Sequence, residues 1–262
     1  MKLNGKNIVI TGASSGIGEK IAYKVAENGG TPILLARSVD KLKIISETIE
    51  EKYLVPCPFY QLNIQELDKV KETFRDILEE IGTVHVLVNN AGFGIFDHVA
   101  DVNLEDMKAM FEVNVFGLIA CTKAVLPGML ETNDGHIINI ASQAGKIATP
   151  KSSVYSASKH AVLGFTNSLR MEVAETNIHV TAVNPGPIRT RFFDIADKSG
   201  TYVKSVERFM LGSDFVAQKI VDSMLTSKRE INLPGWMNAG STMFQLFPGL
   251  MEKIAGRAFF KK

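Results

Sequence analysis

The chain is short of the residues that mark an oxidised scaffold or a charged binding surface. It has two cysteines, Cys57 and Cys121, in 262 residues. They are too few for a disulfide framework and lack metal-ligand spacing, so a reducing compartment is expected. Charge of one sign is lacking too: 29 basic residues stand against 28 acidic ones, a net charge of +1. That excludes the electrostatic footprint of a nucleic-acid binder. No apolar run approaches the roughly 20 residues of a membrane span, and nothing before Lys6-Asn-Ile-Val-Ile10 reads as a signal peptide. A cytoplasmic location is the expectation. His85, His98, His136, His160 and His179 show no metal-like grouping, so no metal is expected. Linkers, low-complexity tracts and internal repeats are also missing, and residues 1–262 read as a single domain.

What is present is a regular alternation. Hydrophobic residues at 45% and charged residues at 22% suit a globular chain with a sizeable core. Short apolar runs occur at Ile8–Ile10, Ile33–Ala36, Phe59–Leu62, Val84–Val88, His136–Ile140, Ile178–Val183 and Glu230–Leu233. Runs that are continuous rather than alternating suit strands buried on both faces of a parallel sheet. Amphipathic stretches between them predict helices near 16–28, 40–53, 65–81, 103–130, 154–176 and 213–227. Strand and helix in turn argue an α/β fold, a doubly wound parallel sheet of about seven strands with helices on both faces.

The polar and glycine-rich residues gather where the predicted strands end: Gly12, Arg37, Asn63, Asn89-Asn90-Ala91-Gly92, Ser142 and Asn184-Pro185-Gly186. Ligands of open α/β sheets bind outside the carboxyl ends of the strands, so six segments converge on one crevice. Gly12, Gly16 and Gly18 follow the first strand and open the first helix, with Ser14, Ser15 and Ile17 between them. Such a loop can be an ordinary glycine turn. Placed between a strand and a helix start, it brings backbone N–H groups to a phosphate.

Tyr155 and Lys159 lie four residues apart in the predicted helix 154–176, and their face continues through Val162, Thr166, Leu169 and Val173. The stripe is mostly apolar, so phenol and ammonium both point inward. A nearby cation favours the phenolate, and about 4 kcal/mol would carry a phenol pKa from about 10 to about 7. His160, on an adjacent helix position, should face away.

Taken together, Thr11-Gly-Ala-Ser-Ser-Gly-Ile-Gly18, Asn89-Asn90-Ala91-Gly92, Ser142 and Tyr155-x-x-x-Lys159 resemble the short-chain dehydrogenase/reductase family, from about residue 6 to about residue 233. The resemblance implies a nicotinamide cofactor and four catalytic positions. Tyr155 would be the acid–base group, Lys159 would favour the phenolate and hold the nicotinamide ribose, and Ser142 would bind the developing oxyanion. Asn114 would anchor a water that links Lys159 to solvent. It implies cofactor contacts at the glycine loop, at Asn63 and Ile64, at Asn90, Ala91 and Gly92, at Tyr155 and Lys159, and at Pro185, Gly186, Ile188 and Thr190. Family members often carry Asp where Asn63 stands, which alters the adenine contact.

The end of the second strand reads Ala36-Arg37-Ser38. It lacks the carboxylate that holds a free ribose 2′-OH and offers a guanidinium and a hydroxyl to a 2′-phosphate, which favours NADP over NAD. The alternative is a solvated surface arginine. Phe93, Phe96 and Phe192, with Ser142, Gln143 and Tyr155, outline an apolar substrate pocket, although these aromatics could equally be core. Residues 188–212 correspond to the family's substrate lid. The segment 234–262 is apolar with a basic end, and Pro248 breaks it. It suits a lid or subunit arm, or, through 236–262, an interfacial contact with an anionic membrane.

The expected activity is hydride transfer between NADP(H) and a carbonyl or secondary alcohol of small size, with 3-oxoacyl-thioester reduction as the nearest alternative. A non-catalytic NADP(H)-binding redox sensor is the rival from another class. The family's habit of pairing the helices at 103–130 and 154–176 implies a homodimer or homotetramer.

Overall fold

The computed structural model describes residues 1–197 and 200–259, the last six of these by backbone alone. The side chains of Ile254, Arg257 and Phe259, and all of Phe260, Lys261 and Lys262, lie outside the described residues.

Seven strands form one parallel sheet in the order β3-β2-β1-β4-β5-β6-β9. They are β1 (Asn7–Thr11), β2 (Thr31–Ala36), β3 (Phe59–Gln61), β4 (Val86–Asn89), β5 (Gly135–Ile140), β6 (Ile178–Pro185) and β9 (Glu230–Leu233). Two short strands, β7 (Ile188–Arg189) and β8 (Leu211–Gly212), pair separately in parallel and tie together the two ends of the predicted lid. The chain reverses strand order between β1 and β4, so the crevice at that switch point opens above their carboxyl ends.

The apolar runs bury both faces of the central strands. Ile8 and Ile10 of β1 belong to one core and Val9 to the other; Leu34 and Ala36 of β2 belong to the first, Ile33 and Leu35 to the second. The first core is covered by α1 (Gly16–Glu27), α2 (Val39–Tyr53) and α9 (Ser213–Ser223). The second is covered by α3 (Leu67–Ile81), α5 (Leu118–Thr132) and α6 (Ser153–Glu172).

The predicted helix 103–130 is a 29-residue helical stretch, Leu104–Thr132, with an irregular middle. It runs as α4 (Leu104–Phe111), a π-helical turn at Glu112–Gly117, and α5. An 18-residue window within it is apolar enough to cross a membrane, with a mean hydropathy of 1.6. Here it is a core helix: Met110, Asn114, Leu118, Cys121, Val125 and Met129 are buried against α3, α6 and the sheet. A π-helical turn of this kind is usual at a functional position, and this one carries Asn114.

The lid adds α7 (Phe192–Ala196) and α8 (Thr201–Val206), and the carboxyl segment forms α10 (Gly235–Leu246) and α11 (Pro248–Phe259), broken at the expected proline. Cys57 and Cys121 are free and buried, and burial pushes both thiols up to about 12.

Close approach of β1 to α1 decides one glycine. A Cβ on Gly18 would lie 2.5 Å from the Gly12 carbonyl oxygen and 2.6 Å from Asn90 Nδ2. We expect Gly18→Ala to cost about 1–3 kcal/mol in urea unfolding, because backbone must move. Gly240→Ala, in the interior of α10 with nothing within 4 Å, should be neutral or stabilising by up to about 1 kcal/mol. Equal midpoints for the two variants would contradict this packing.

Candidate active site

The crevice has a volume of about 840 Å³ and runs across the carboxyl ends of β1 to β6. Gly12, Ser14, Ser15, Gly16 and Ile17 form its floor where α1 begins. Gly12 has φ +66°, a left-handed conformation that glycine adopts without strain. Ser15 caps α1 without a side-chain hydrogen bond, so the first-turn N–H groups are left for an anion. Gly18 does not line the crevice, contrary to its place among the expected cofactor contacts. It serves the helix–strand packing described above.

Asn89 and Asn90 divide the labour of their motif. Asn90 borders the crevice, but its amide donates to the Thr11 and Gly12 carbonyls at 2.9 and 3.2 Å. Thr11 Oγ1 in turn accepts from the N–H groups of Asn90 and Ala91, both at 3.0 Å. The motif thereby locks the end of β4 to the glycine loop. Asn89 is buried beneath it and donates to Thr122 Oγ1 and Asn139 Oδ1, each at 2.9 Å.

At one end of the crevice, Arg37 and Ser38 follow β2, joined by Lys41 one turn into α2. Ser38 is the amino-terminal cap of α2 and makes no side-chain capping bond. Two cations, a hydroxyl and the positive end of a helix thus surround one corner. Lys41 was legible as a residue three beyond Ser38 in a predicted helix, yet the strand-end pattern drew attention only to Arg37 and Ser38. Asn63 and Ile64 line the neighbouring wall. Asn63 Oδ1 accepts from the Gln65 N–H at 3.3 Å.

At the other end, Tyr155 and Lys159 are buried on α6 facing the crevice, while His160 is exposed. Lys159 Nζ donates to the Ile140 carbonyl at 2.8 Å and stands 5.9 Å from the centre of the Tyr155 ring. Ser142 begins a short turn after β5, its Oγ accepting from the Ala144 N–H at 3.1 Å. Gly92, Pro185, Gly186, Ile188 and Thr190 complete this end as expected.

One expectation needs correction. The phenol of Tyr155 is not brought towards neutrality. Burial raises its pKa, the Ser142 hydroxyl beside it pulls the other way, and burial wins. Lys159 donates to the Ile140 carbonyl instead of the phenol, and burial lowers its own pKa to about 8. Asn114, for its part, does not border the crevice, and its side chain is fully engaged. Its Oδ1 accepts from the Phe93 N–H at 3.0 Å, and its Nδ2 donates to the Phe93 carbonyl at 2.9 Å and to Ser158 Oγ at 3.0 Å. These bonds hold the segment after β4.

Phe93, Phe96, Gln143, Phe192 and Phe193 line the crevice next to Tyr155, joined by Tyr202 and Met237, which sequence patterning did not single out as pocket residues. Phe96 meets Tyr155 edge-on at 5.7 Å and Tyr202 at 5.0 Å, and Phe192 lies 5.7 Å from Tyr155. These rings form one wall, not a separate core. Tyr202 and Met237 come from the lid and the carboxyl segment, where no motif predicts what folds back.

The comparisons agree with this geometry. The model of the short chain dehydrogenase family matches residues 6–199. A Drosophila melanogaster protein named dehydrogenase/reductase SDR family protein 7-like is 37% identical over 88% of this chain and 73% of its own. A Schizosaccharomyces pombe NADP-dependent 3-hydroxy acid dehydrogenase is 37% identical over 73% of this chain and 74% of its own. Among solved structures, an alcohol dehydrogenase from Thermococcus sibiricus complexed with 5-hydroxy-NADP superposes with a TM-score of 0.78, at 28% identity, covering 87% of this chain and 95% of that one. A Burkholderia phymatum short chain dehydrogenase/reductase in complex with NAD gives a TM-score of 0.87, at 25% identity, over 96% of both chains. The chain belongs to the short-chain dehydrogenase family.

Because Lys159 keeps its charge below about pH 8 and loses it above, we expect kcat/KM for reduction to be level at neutral pH and to fall past about pH 8. A profile still level at pH 10 would show that the ammonium is not required.

Proposed function

We propose that this short-chain dehydrogenase is an NADP(H)-dependent carbonyl reductase that also runs in reverse on secondary alcohols. The observation that carries the reading is the buried Tyr155 phenol, set in the crevice with Ser142 and an aromatic wall and with Lys159 behind it. NADPH, when bound, supplies the hydride. A phenol with its proton on is the state needed to give that proton to a carbonyl oxygen as it gains charge. Ser142 would donate a hydrogen bond to the same oxygen and align the carbonyl. Lys159, charged below about pH 8, would steady the phenolate left behind and grip the ribose hydroxyls. Phe96, Phe192 and Tyr202 would take the apolar part of the substrate and exclude water.

The donor set fits the cofactor. The glycine loop and the start of α1 would receive the pyrophosphate, and Arg37, Ser38 and Lys41 a 2′-phosphate. No carboxylate stands at Ala36 to repel it. NADP in the Thermococcus structure supports this choice, and NAD in the Burkholderia structure makes it one to test. The yeast relative's 3-hydroxy acids are the first compounds to try. Two buried thiols suit a reducing cytoplasm. Exposed Leu104, Phe116 and Leu130 on the α4–α5 helix suit a pairing of subunits there, which sedimentation at micromolar concentration tests.

We expect wild type to bind NADPH about thirtyfold more tightly than NADH, allowing for solvent screening at exposed Arg37. Ala36→Asp with Arg37→Leu should reverse the order. Equal or tighter NADH binding by wild type would show that Arg37 is a surface residue only. Tyr155→Phe should abolish NADPH-dependent carbonyl reduction while leaving NADPH affinity within a few-fold. A protein that binds NADPH but oxidises it with no carbonyl compound would be the sensor instead.

A further inference from the structure

Helix α10 is built inside out. Its inward side carries Ser241, 1% exposed and bonded to the Asn238 carbonyl at 2.9 Å, and Asn238, whose Oδ1 accepts from Lys146 Nζ at 3.4 Å. Lys146 is itself anchored by Glu230 of β9 at 2.5 Å and Asn232 at 3.0 Å. This polar clamp sets the rotation of α10. Met237 consequently reaches the crevice, and the opposite side displays Trp236 at 61% exposure, Met243 at 43% and Leu246 at 64%. Phe247 and Leu250, both 53% exposed, extend the display into the break and α11. Folding gains nothing from turning these side chains to water, and aromatics in such a cluster mark a contact surface.

The surface is continuous with the mouth of the active site. Trp236 packs edge-on against Phe209, 5.9 Å away, and Phe209 is itself partly exposed at the end of the lid. Ile195, exposed on α7, lines the outer crevice next to Phe192 and Phe193. An apolar rim therefore leads into an aromatic wall. From Gly235 onward the sequence carries four basic residues, Lys253, Arg257, Lys261 and Lys262, against the single acid Glu252.

We propose that α10 and the start of α11 seat the enzyme on an anionic lipid surface, with the active-site mouth turned to the bilayer. An aromatic and aliphatic face followed by basic residues is the chemistry of an interfacial helix, which buries its apolar side about 5–10 Å into the headgroup boundary. Lysine and arginine add attraction to anionic headgroups. The display of five side chains is small against the roughly 20–30 residues a side of a stable protein interface, which disfavours a second copy as the occupant. The substrates so reached would be apolar carbonyl compounds dissolved in lipid.

Trp236 is the only tryptophan, so its fluorescence reports on this surface alone. Full-length protein should float with vesicles of equimolar phosphatidylglycerol and phosphatidylcholine, with a blue shift quenched by brominated acyl chains. Binding to phosphatidylcholine alone should be weaker. Leu246→Glu with Phe247→Glu should weaken flotation about tenfold or more, and Lys253→Glu should weaken it only for the anionic vesicles. Both variants should keep wild-type NADPH affinity and sedimentation, which shows that they fold and assemble. Failure to float with either composition would overturn the proposal. So would a blue shift already present without lipid together with a lower mass for the double Glu variant, since a second copy would then cover the face.

Discussion

Everything at the active site depends on a chain of buried side-chain hydrogen bonds that crosses the middle of the fold. Asn89 of β4 donates to Thr122 of α5 and to Asn139 of β5; Asn139 donates to Thr166 of α6; and Thr166 donates to the Val162 carbonyl at 2.6 Å. In a low-dielectric interior each such bond is strong, and each is costly to leave unmade. The chain therefore fixes α6 to the sheet at one depth and one rotation. Tyr155 and Lys159 sit on that helix, and the Lys159 bond to the Ile140 carbonyl is the last link. The glycine loop is joined to the same frame through Thr11 and Asn90. The glycine loop and the Tyr155 end of the crevice are thus tied to one frame.

The same burial sets the site's electrostatics. Taking a phenol and an ammonium out of water disfavours the charged form of each, so Tyr155 keeps its proton and Lys159 holds its charge less firmly. Spacing along a helix shows that two groups share a face. It does not show how much solvent they have lost, nor that a lysine will find a carbonyl oxygen instead of the phenol. Helix spacing alone therefore points to a lowered Tyr155 pKa, whereas burial raises it.

Much of the rest was legible. The apolar runs located every strand of the main sheet, because strands covered on both faces are mostly apolar along their length. The polar strand ends located the crevice, because all of them belong to one edge of that sheet. What escaped was of two kinds. The close approach of Gly18 to Gly12 and the bonds of Asn114 to Phe93 and Ser158 are set by tertiary packing that no motif spacing shows. Tyr202 and Met237 came from the lid and from α10, whose placement depends on long-range closure against β7 and on the Lys146 clamp. Neither leaves a periodic trace.

The central claim is that protein, NADPH and a carbonyl compound suffice for reduction, with Tyr155 giving the proton. The most direct test uses NADPH carrying deuterium at both C4 positions and a panel of carbonyl compounds that includes 3-oxo acids. Mass spectrometry of the products should find one deuterium on the carbinol carbon with the wild-type protein. It should find none with Tyr155→Phe under the same conditions. Turnover by wild type with no label on carbon, or labelled product at the wild-type rate from Tyr155→Phe, would contradict the account.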